Sequence, residues 1–325
     1  MEIDKKKVRS SAFLLLLLIL LFFFSFFRNK DIHSERIQSV LLNSKYVDDL
    51  SVIQIDDPAG ESISLKKENG IWFGISQKKS DGDSVFRFPA EQQFVSNFIK
   101  QFSNIQNMYK ISDSQTSWHS LGLTNAQAFS VTMLGTHGNM YTKLYFGRRN
   151  FDDSMIYVRN NRNLKSYQLD AAVSSYLSTR PETWCDPLLI PQVITGHLEQ
   201  SAVQKISFND TITKTYSVYY PSDGEFLSVV KKLRELRHGT IQKKLDTTDY
   251  DSSLRIELGS GTVLDLRFKK LSAEKKPDWS VCYTYTFGPA ENWKQHLVSV
   301  FNYTVLVSNW TYTTITELFE KKETD

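Results

Sequence analysis

The chain has 325 residues, 41% hydrophobic and 13% aromatic, with 39 basic side chains against 36 acidic ones. This is enough apolar material for one large core or two smaller ones, and no concentrated basic face is present to hold nucleic acid. Of the formal net charge of +3, residues 1–11 contribute +2 (Lys5, Lys6, Lys7 and Arg9 against Glu2 and Asp4), so the remainder is nearly neutral.

The first element is the run Ala12 to Phe27, in which fourteen of sixteen residues are Leu, Ile or Phe and none is charged. A helix of this composition is apolar all the way round, which suits lipid better than one face of a core. It would span roughly 24 Å against a hydrocarbon thickness of about 30 Å, a gap closed by Ser10, Ser11 and slight bilayer thinning. Its Leu, Ile and Phe residues favour insertion by about 4–8 kcal/mol in total. Lys5, Lys6, Lys7 and Arg9 precede the run, whereas Arg28 and Lys30 follow it, so the N-terminus is expected in the cytosol. Phe26, Phe27, Arg28, Asn29 and Lys30 offer no small-x-small cleavage site, which favours a retained anchor over a signal peptide. The expected organisation is a cytoplasmic leader (1–11), a transmembrane signal anchor (12–28), a juxtamembrane linker (29–48), two α+β repeats (49–190 and 202–320) and a polar tail (321–325).

Each repeat opens with an alternating strand, Leu50 to Ile55 in one and Val203 to Phe208 in the other. Each continues into a second strand: Ser62 to Lys66, turning through Asn69-Gly70 into Ile71 to Phe73, and Thr215 to Tyr220. A helix follows. Pro89 is expected to set the first one, with Phe94, Val95, Phe98, Ile99, Phe102 and Ile105 as its stripe. Ser222 or Asp223 is expected to cap the second, whose stripe is Phe226, Val229, Val230, Leu233 and Leu236. Strand pairs come next, Phe129 to Leu134 with Tyr141 to Phe146, and Leu254 to Leu258 with Val263 to Phe268. Further strands are expected at 155–158, 166–169 and 281–285, with short closing helices near 171–177 and 291–301. The Thr- and aromatic-rich stretch around Tyr303, Trp310 and Tyr312 reads as strand, its aromatics either an exposed patch or core. The fold class expected is α+β: an N-terminal transmembrane helix, then two tandem copies of a mostly antiparallel sheet-plus-helix unit.

The succession Trp118-His-Ser-Leu-Gly-Leu123, Phe129 to Leu134, Leu144-Tyr-Phe-Gly147, Ile156-Tyr-Val-Arg159 and Ser166-Tyr-Gln-Leu169 resembles the bacterial family called domain of unknown function 4340. Members show a Tyr-Gly-Leu element, a strand pair ending in glycine, a Tyr-Val-Arg-like strand and a Val-Tyr pair. Here Ser120 and Leu121 precede Gly122 where the family favours an aromatic residue. The Trp72 strand and Thr183-Trp184-Cys185-Asp186 fit the same pattern. The resemblance covers residues 45–190 well and the second repeat loosely. It marks Trp118, Leu121, Gly122, Leu123, Gly147, Tyr157, Arg159 and Tyr167 as structural motif positions. It implies a membrane-anchored extracytoplasmic repeat domain of the bacterial inner membrane, with ABC-type export or gliding-associated transporter subunits as partners and no recognised catalytic set.

The residues themselves offer little chemistry. His33, His119, His137, His197, His238 and His296 show no metal-ligand spacing, and no phosphate loop, dinucleotide fingerprint or nucleophile elbow occurs, so neither metal nor cofactor is expected. Asp246, Asp249 and Asp251, Asp81 with Asp83, and Asp152 with Asp153 read as turn residues. Asn209, Asn302 and Asn309 begin Asn-x-Thr sequons, which would invite glycans in a eukaryotic type II membrane protein and are chance matches in a bacterial one. Cys185 and Cys282 could bridge in an oxidising compartment, or stand as two separate buried thiols. Two functions are therefore expected in order: a non-catalytic binding or scaffold protein accessory to an ABC-type transport system, or a cell-envelope enzyme, a glycan hydrolase or transferase, with a site between the repeats.

Overall fold

Strand alternation resolves into two antiparallel sheets. The computed structural model describes residues 35–78, 84–193, 203–244, 249–271, 278–289 and 302–320, together with Leu15, Leu16, Leu18 and Ile19. The first sheet contains β1 (Arg36–Ser39), β2 (Leu50–Asp56), β3 (Ser62–Glu68), β4 (Ile71–Lys78), β5 (Ser84–Pro89), β6 (Gln106–Ser112), β7 (Phe129–Gly135), β8 (Met140–Arg149), β9 (Met155–Asn160) and β10 (Ser166–Asp170). They lie in the order β1-β6-β10-β9-β8-β7-β2-β3-β4-β5. The second contains β11 (Val203–Asp210), β12 (Thr215–Tyr219), β13 (Ile241–Lys243), β14 (Ser252–Leu258), β15 (Val263–Lys270), β16 (Asp278–Thr286) and β17 (Tyr303–Ser308), in the order β12-β11-β14-β15-β16-β17-β13.

The two sheets follow one path. Reading β6-β10-β9-β8-β7-β2-β3 in the first against β13-β17-β16-β15-β14-β11-β12 in the second, the strands correspond one for one. Helix α1 (Gln92–Ser103) precedes β6 as helix α4 (Phe226–Glu235) precedes β13. The first sheet adds β1, β4 and β5.

Each helix covers the apolar face of its sheet. Val95, Phe98 and Phe102 of α1 are fully buried, and Phe102 meets Phe146 edge-on at 6.0 Å. Burying each such side chain contributes about 1.5–3 kcal/mol. In the second unit Phe226, Val229 and Leu233 of α4 are buried, and helix α5 (Asn309–Phe319) adds Tyr312, Ile315 and Phe319. The opposite face of each sheet is polar, with ladders such as Gln54, Asp56 and Ser130 or Lys205, Glu257 and Arg255. The Asn69-Gly70 turn adopts positive φ at both residues, 49° and 83°, as the β3–β4 hairpin requires.

Several expectations change. Residues 36–39 form a strand on the sheet edge where a linker was expected, and Ser44–Tyr46 a 3-10 turn. Leu41 and Leu42 are buried, and their N–H groups both donate to Phe102 O at the end of α1, so the segment is packed. Pro89 ends β5, and α1 starts three residues later without it. Neither Ser222 nor Asp223 caps α4. The Asp223 carboxylate accepts from Tyr220 N instead, closing a turn. The stretch from Asn309 is helical, because Ser308 accepts from Thr311 N and Tyr312, Ile315 and Phe319 form a helical stripe. Tyr303 and Tyr312 are core, whereas Trp310 is exposed. Ile105 lies past the end of α1 and is exposed. Residues 171–176 form a 3-10 helix.

Among the described residues no helix is long and apolar enough to cross a membrane. The expected span 12–28 lies outside them apart from Leu15, Leu16, Leu18 and Ile19, which are helical and exposed. The leader, the closing helix near 291–301, the tail 321–325, and His33, His197, His296, Asp81, Asp83 and Asp246 also lie outside the described residues.

Candidate functional site

Six of the motif positions converge on one clamp. Trp118 and Leu121 bound helix α2 (Trp118–Leu121), which Gly122 ends in the left-handed conformation at φ 71°. Leu123 returns into the core and its N–H donates to Trp118 O at 2.7 Å. Arg159 on β9 reaches across to this turn. Its Nε donates to Leu123 O and its Nη2 to Asn125 Oδ1, both at 2.7 Å. The guanidinium lies 4.0 Å from the Trp118 ring centroid and 3.7 Å from that of Tyr145, a cation held between two aromatic faces. Gly147 on β8 is needed for closeness: a Cβ there would overlap Leu121 O. Tyr157 is half-buried on β9 and makes no contact with the clamp that the structure records, while Tyr167 lies on the other face of the sheet, paired with Val158.

On that face a cleft of about 410 Å³ opens between the Ser39–Tyr46 segment and strands β6, β8, β9 and β10. Its floor includes Met108, Leu144, Val158 and Tyr167, and its rim Asn43, Lys45, Tyr46, Tyr141, Asn160 and Arg162. Tyr46 and Tyr141 stack with ring centroids 4.1 Å apart and planes 9° from parallel. The Tyr141 hydroxyl donates to the Asp49 carboxylate, which also accepts from Thr136 Oγ1 at 2.6 Å. Those two bonds, Thr136 foremost, hold the Asp49 carboxyl below its ordinary range. Sequence reading missed this site because it treated residues 29–48 as linker. The apolar Val40-Leu41-Leu42 inside that stretch was the available signal.

A family model described as "Domain of unknown function (DUF4340)" matches residues 83–278, more than half of the chain. The chain belongs to this family. The DUF4340 match starts beside β5 and runs through to the first residue of β16, so it crosses both sheets and does not coincide with the first repeat that the motifs suggested. The clamp, the β8–β10 side of the cleft and the junction residues Trp184, Leu189 and Leu236 lie inside it, while Tyr283 falls just past its end. No curated protein and no solved structure was found to match the chain.

The junction of this DUF4340 chain is welded. Trp184, at the end of helix α3 (Pro181–Trp184), packs edge-on against Phe94 and Phe98 of the first unit. A few residues on, Leu189 N donates to Leu236 O and the Tyr283 hydroxyl donates to Leu189 O at 2.9 Å. Cys185, Asp186 and His238 meet here. The Cys185 Sγ lies 3.8 Å from His238 Nε2, which is itself 2.8 Å from Asp186 O, while Nδ1 is 3.0 Å from Gly239 O. Burial pushes the Cys185 thiol well up and the His238 imidazole down, the latter against the Gly239 and Asp186 carbonyls that favour its charged form. Burial also raises Asp186, against the N–H groups of Gln192 and Leu188 that favour its charged form. Cys185 and Cys282 are both buried thiols outside any disulfide, which corrects the disulfide alternative; Cys282 Sγ faces Thr304 Oγ1 at 3.2 Å instead.

The remaining candidates serve turns or charge pairs. Asp152 accepts from Ser154, Asp153 sits at φ 57°, and Asp249 and Asp251 both hold Lys269. No group of three metal-ligating side chains occurs among the described residues.

Proposed function

We propose that this DUF4340 protein is a non-catalytic, single-pass membrane-anchored binding or scaffold protein, accessory to an ABC-type export or gliding-associated transport system. In this reading residues 12–28 anchor it in the bacterial inner membrane with its N-terminus in the cytosol, and both sheets stand outside. The observation that carries the anchor is the uncharged apolar run, four residues of which, Leu15, Leu16, Leu18 and Ile19, are helical with 46–62% of their surface exposed. Apolar helical surface without a protein cover suits lipid. The welded junction supports a scaffold over a glycan enzyme with a site between the repeats. Trp184, Leu189 and Tyr283 are buried where the two units meet.

The test is twofold. A topology reporter fused after Asp325 is expected to report the extracytoplasmic side. Crosslinking in intact membranes followed by detergent extraction is expected to recover ABC-type transporter subunits. A cytosolic reporter signal overturns the anchor orientation, and recovery of no membrane partner overturns the accessory role.

A further inference from the structure

We infer that the cleft beneath the Ser39–Tyr46 segment binds a small polar molecule through an oxyanion, a carboxylate or phosphate group. This deepens the binding role proposed above and rests on it. The volume, about 410 Å³, falls in the range of small-molecule sites.

Its charge is one-sided: Lys45, Arg159 and Arg162 line it, and no Asp or Glu does. Arg159 is committed to the Trp118 clamp. Lys45 and Arg162 are exposed, and neither forms an ion pair among the described residues. The nearest carboxylate in the network, Asp49, lies behind Tyr141 and is engaged by two hydroxyls.

Both cations are presented by turns that asparagines close. Asn43 Oδ1 accepts from Lys45 N at 3.1 Å, and Asn160 Oδ1 accepts from Arg162 N at 2.9 Å and Asn163 N at 3.2 Å. One Arg162 nitrogen donates to Tyr141 O at 2.8 Å, which fixes the guanidinium on the rim. A guanidinium has five N–H donors, so a fork remains for a planar oxyanion, and Lys45 adds a point charge.

The wall is built in advance. Tyr46 stacks on Tyr141, whose hydroxyl is fixed by Asp49, and the fit depends on Gly135, where a Cβ would overlap both the Tyr141 hydroxyl and the Asp49 carboxylate. A prearranged rim, with Lys45 Nζ 4.7 Å from the Tyr46 ring centroid, Arg162 fixed on Tyr141 O and no carboxylate on either cation among the described residues, lowers the ordering cost of capturing an anion.

The test is calorimetric titration of the full-length protein in mild detergent with inorganic phosphate, with glucuronate, and with glucose as the uncharged counterpart. Saturable binding of at least one anion and none of glucose is expected. Phosphate alone identifies a phosphate ligand and glucuronate alone a carboxylate; either supports the inference. Lys45→Ala and Arg162→Gln should each weaken binding about tenfold or more, roughly 1.4 kcal/mol. Lys165→Ala, which removes an exposed cation outside the cleft, should leave it unchanged. All three positions are exposed, and circular dichroism checks that each variant folds. The inference is overturned if the wild type binds neither anion, if glucose binds as well, or if both cleft variants bind normally. Failure here alongside recovery of transporter subunits by crosslinking discards the ligand class and leaves the scaffold role standing.

Discussion

Replacing Arg159 by Met tests the clamp most directly. Arg159 is 4% exposed, so its guanidinium is dehydrated, and burial lowers its pKa. The two ring contacts are worth roughly 0.5–1 kcal/mol each. Losing the donor to the Leu123 carbonyl costs about 1–3 kcal/mol if that oxygen finds no other partner. Relief of the dehydrated charge returns part of this, and Met refills much of the volume, so a net loss of about 2–3 kcal/mol is expected. For a body of this size that lowers the thermal midpoint by roughly 4–10 °C. Hydrogen exchange localises the effect: the amides of Leu123, Gln127 and Ala128, bonded within the 118–128 turn, should exchange faster than those of β14 or β15. Arg159→Lys should fare no better, because an ammonium can neither stack flat between two rings nor reach both acceptors with a fork. A Met variant within about 0.5 kcal/mol of wild type, or a fully tolerated Lys, would refute the reasoning.

Gly147→Ala forces a methyl against the Leu121 carbonyl, which is backbone and cannot swing away, so a loss of about 1–3 kcal/mol is expected in urea unfolding. His238 has a native pKa below its ordinary 6.5, so the unfolded chain binds more protons just below that value. Its contribution is therefore present above pH 6.5 and lost as pH falls through the native pKa. Unfolding midpoints measured from about pH 7.5 down to 5.5 should decline, and less steeply in His238→Gln. Cys185 and Cys282 should resist a thiol reagent in the native protein and both react in denaturant without reductant; zero thiols in denaturant would mean a bridge.

What could be read from the sequence was local. Alternation marked β2, β11, β14 and β15, the Asn69-Gly70 pair marked a hairpin, and three- and four-residue spacing marked the cores of α1 and α4. The short edge strands β1 and β13 were not legible, because three or four residues carry too little pattern and their identity comes from the neighbour they pair with. In the Asn309–Phe319 helix, β-branched threonines outweighed a helical stripe that was present in Tyr312, Ile315 and Phe319. The resemblance pointed at Trp118 and Arg159, yet their stacking depends on which face of β9 Arg159 occupies and on the Trp118 turn folding back from another segment. The cleft was hidden for the same reason: Tyr46 and Tyr141 meet only once β1 has joined β6.

The edges of the two sheets have a consequence for self-association. β5 closes one sheet and β13 the other, and the two lie against each other, with β5 also reaching β17. Each shields the other's unpaired backbone from foreign strands. Among the described residues the outermost strands β1 and β12 carry no further strand partner, so strand addition is expected to start at one of these two ends, and a charged residue placed at the exposed Tyr216 would guard the longer of them.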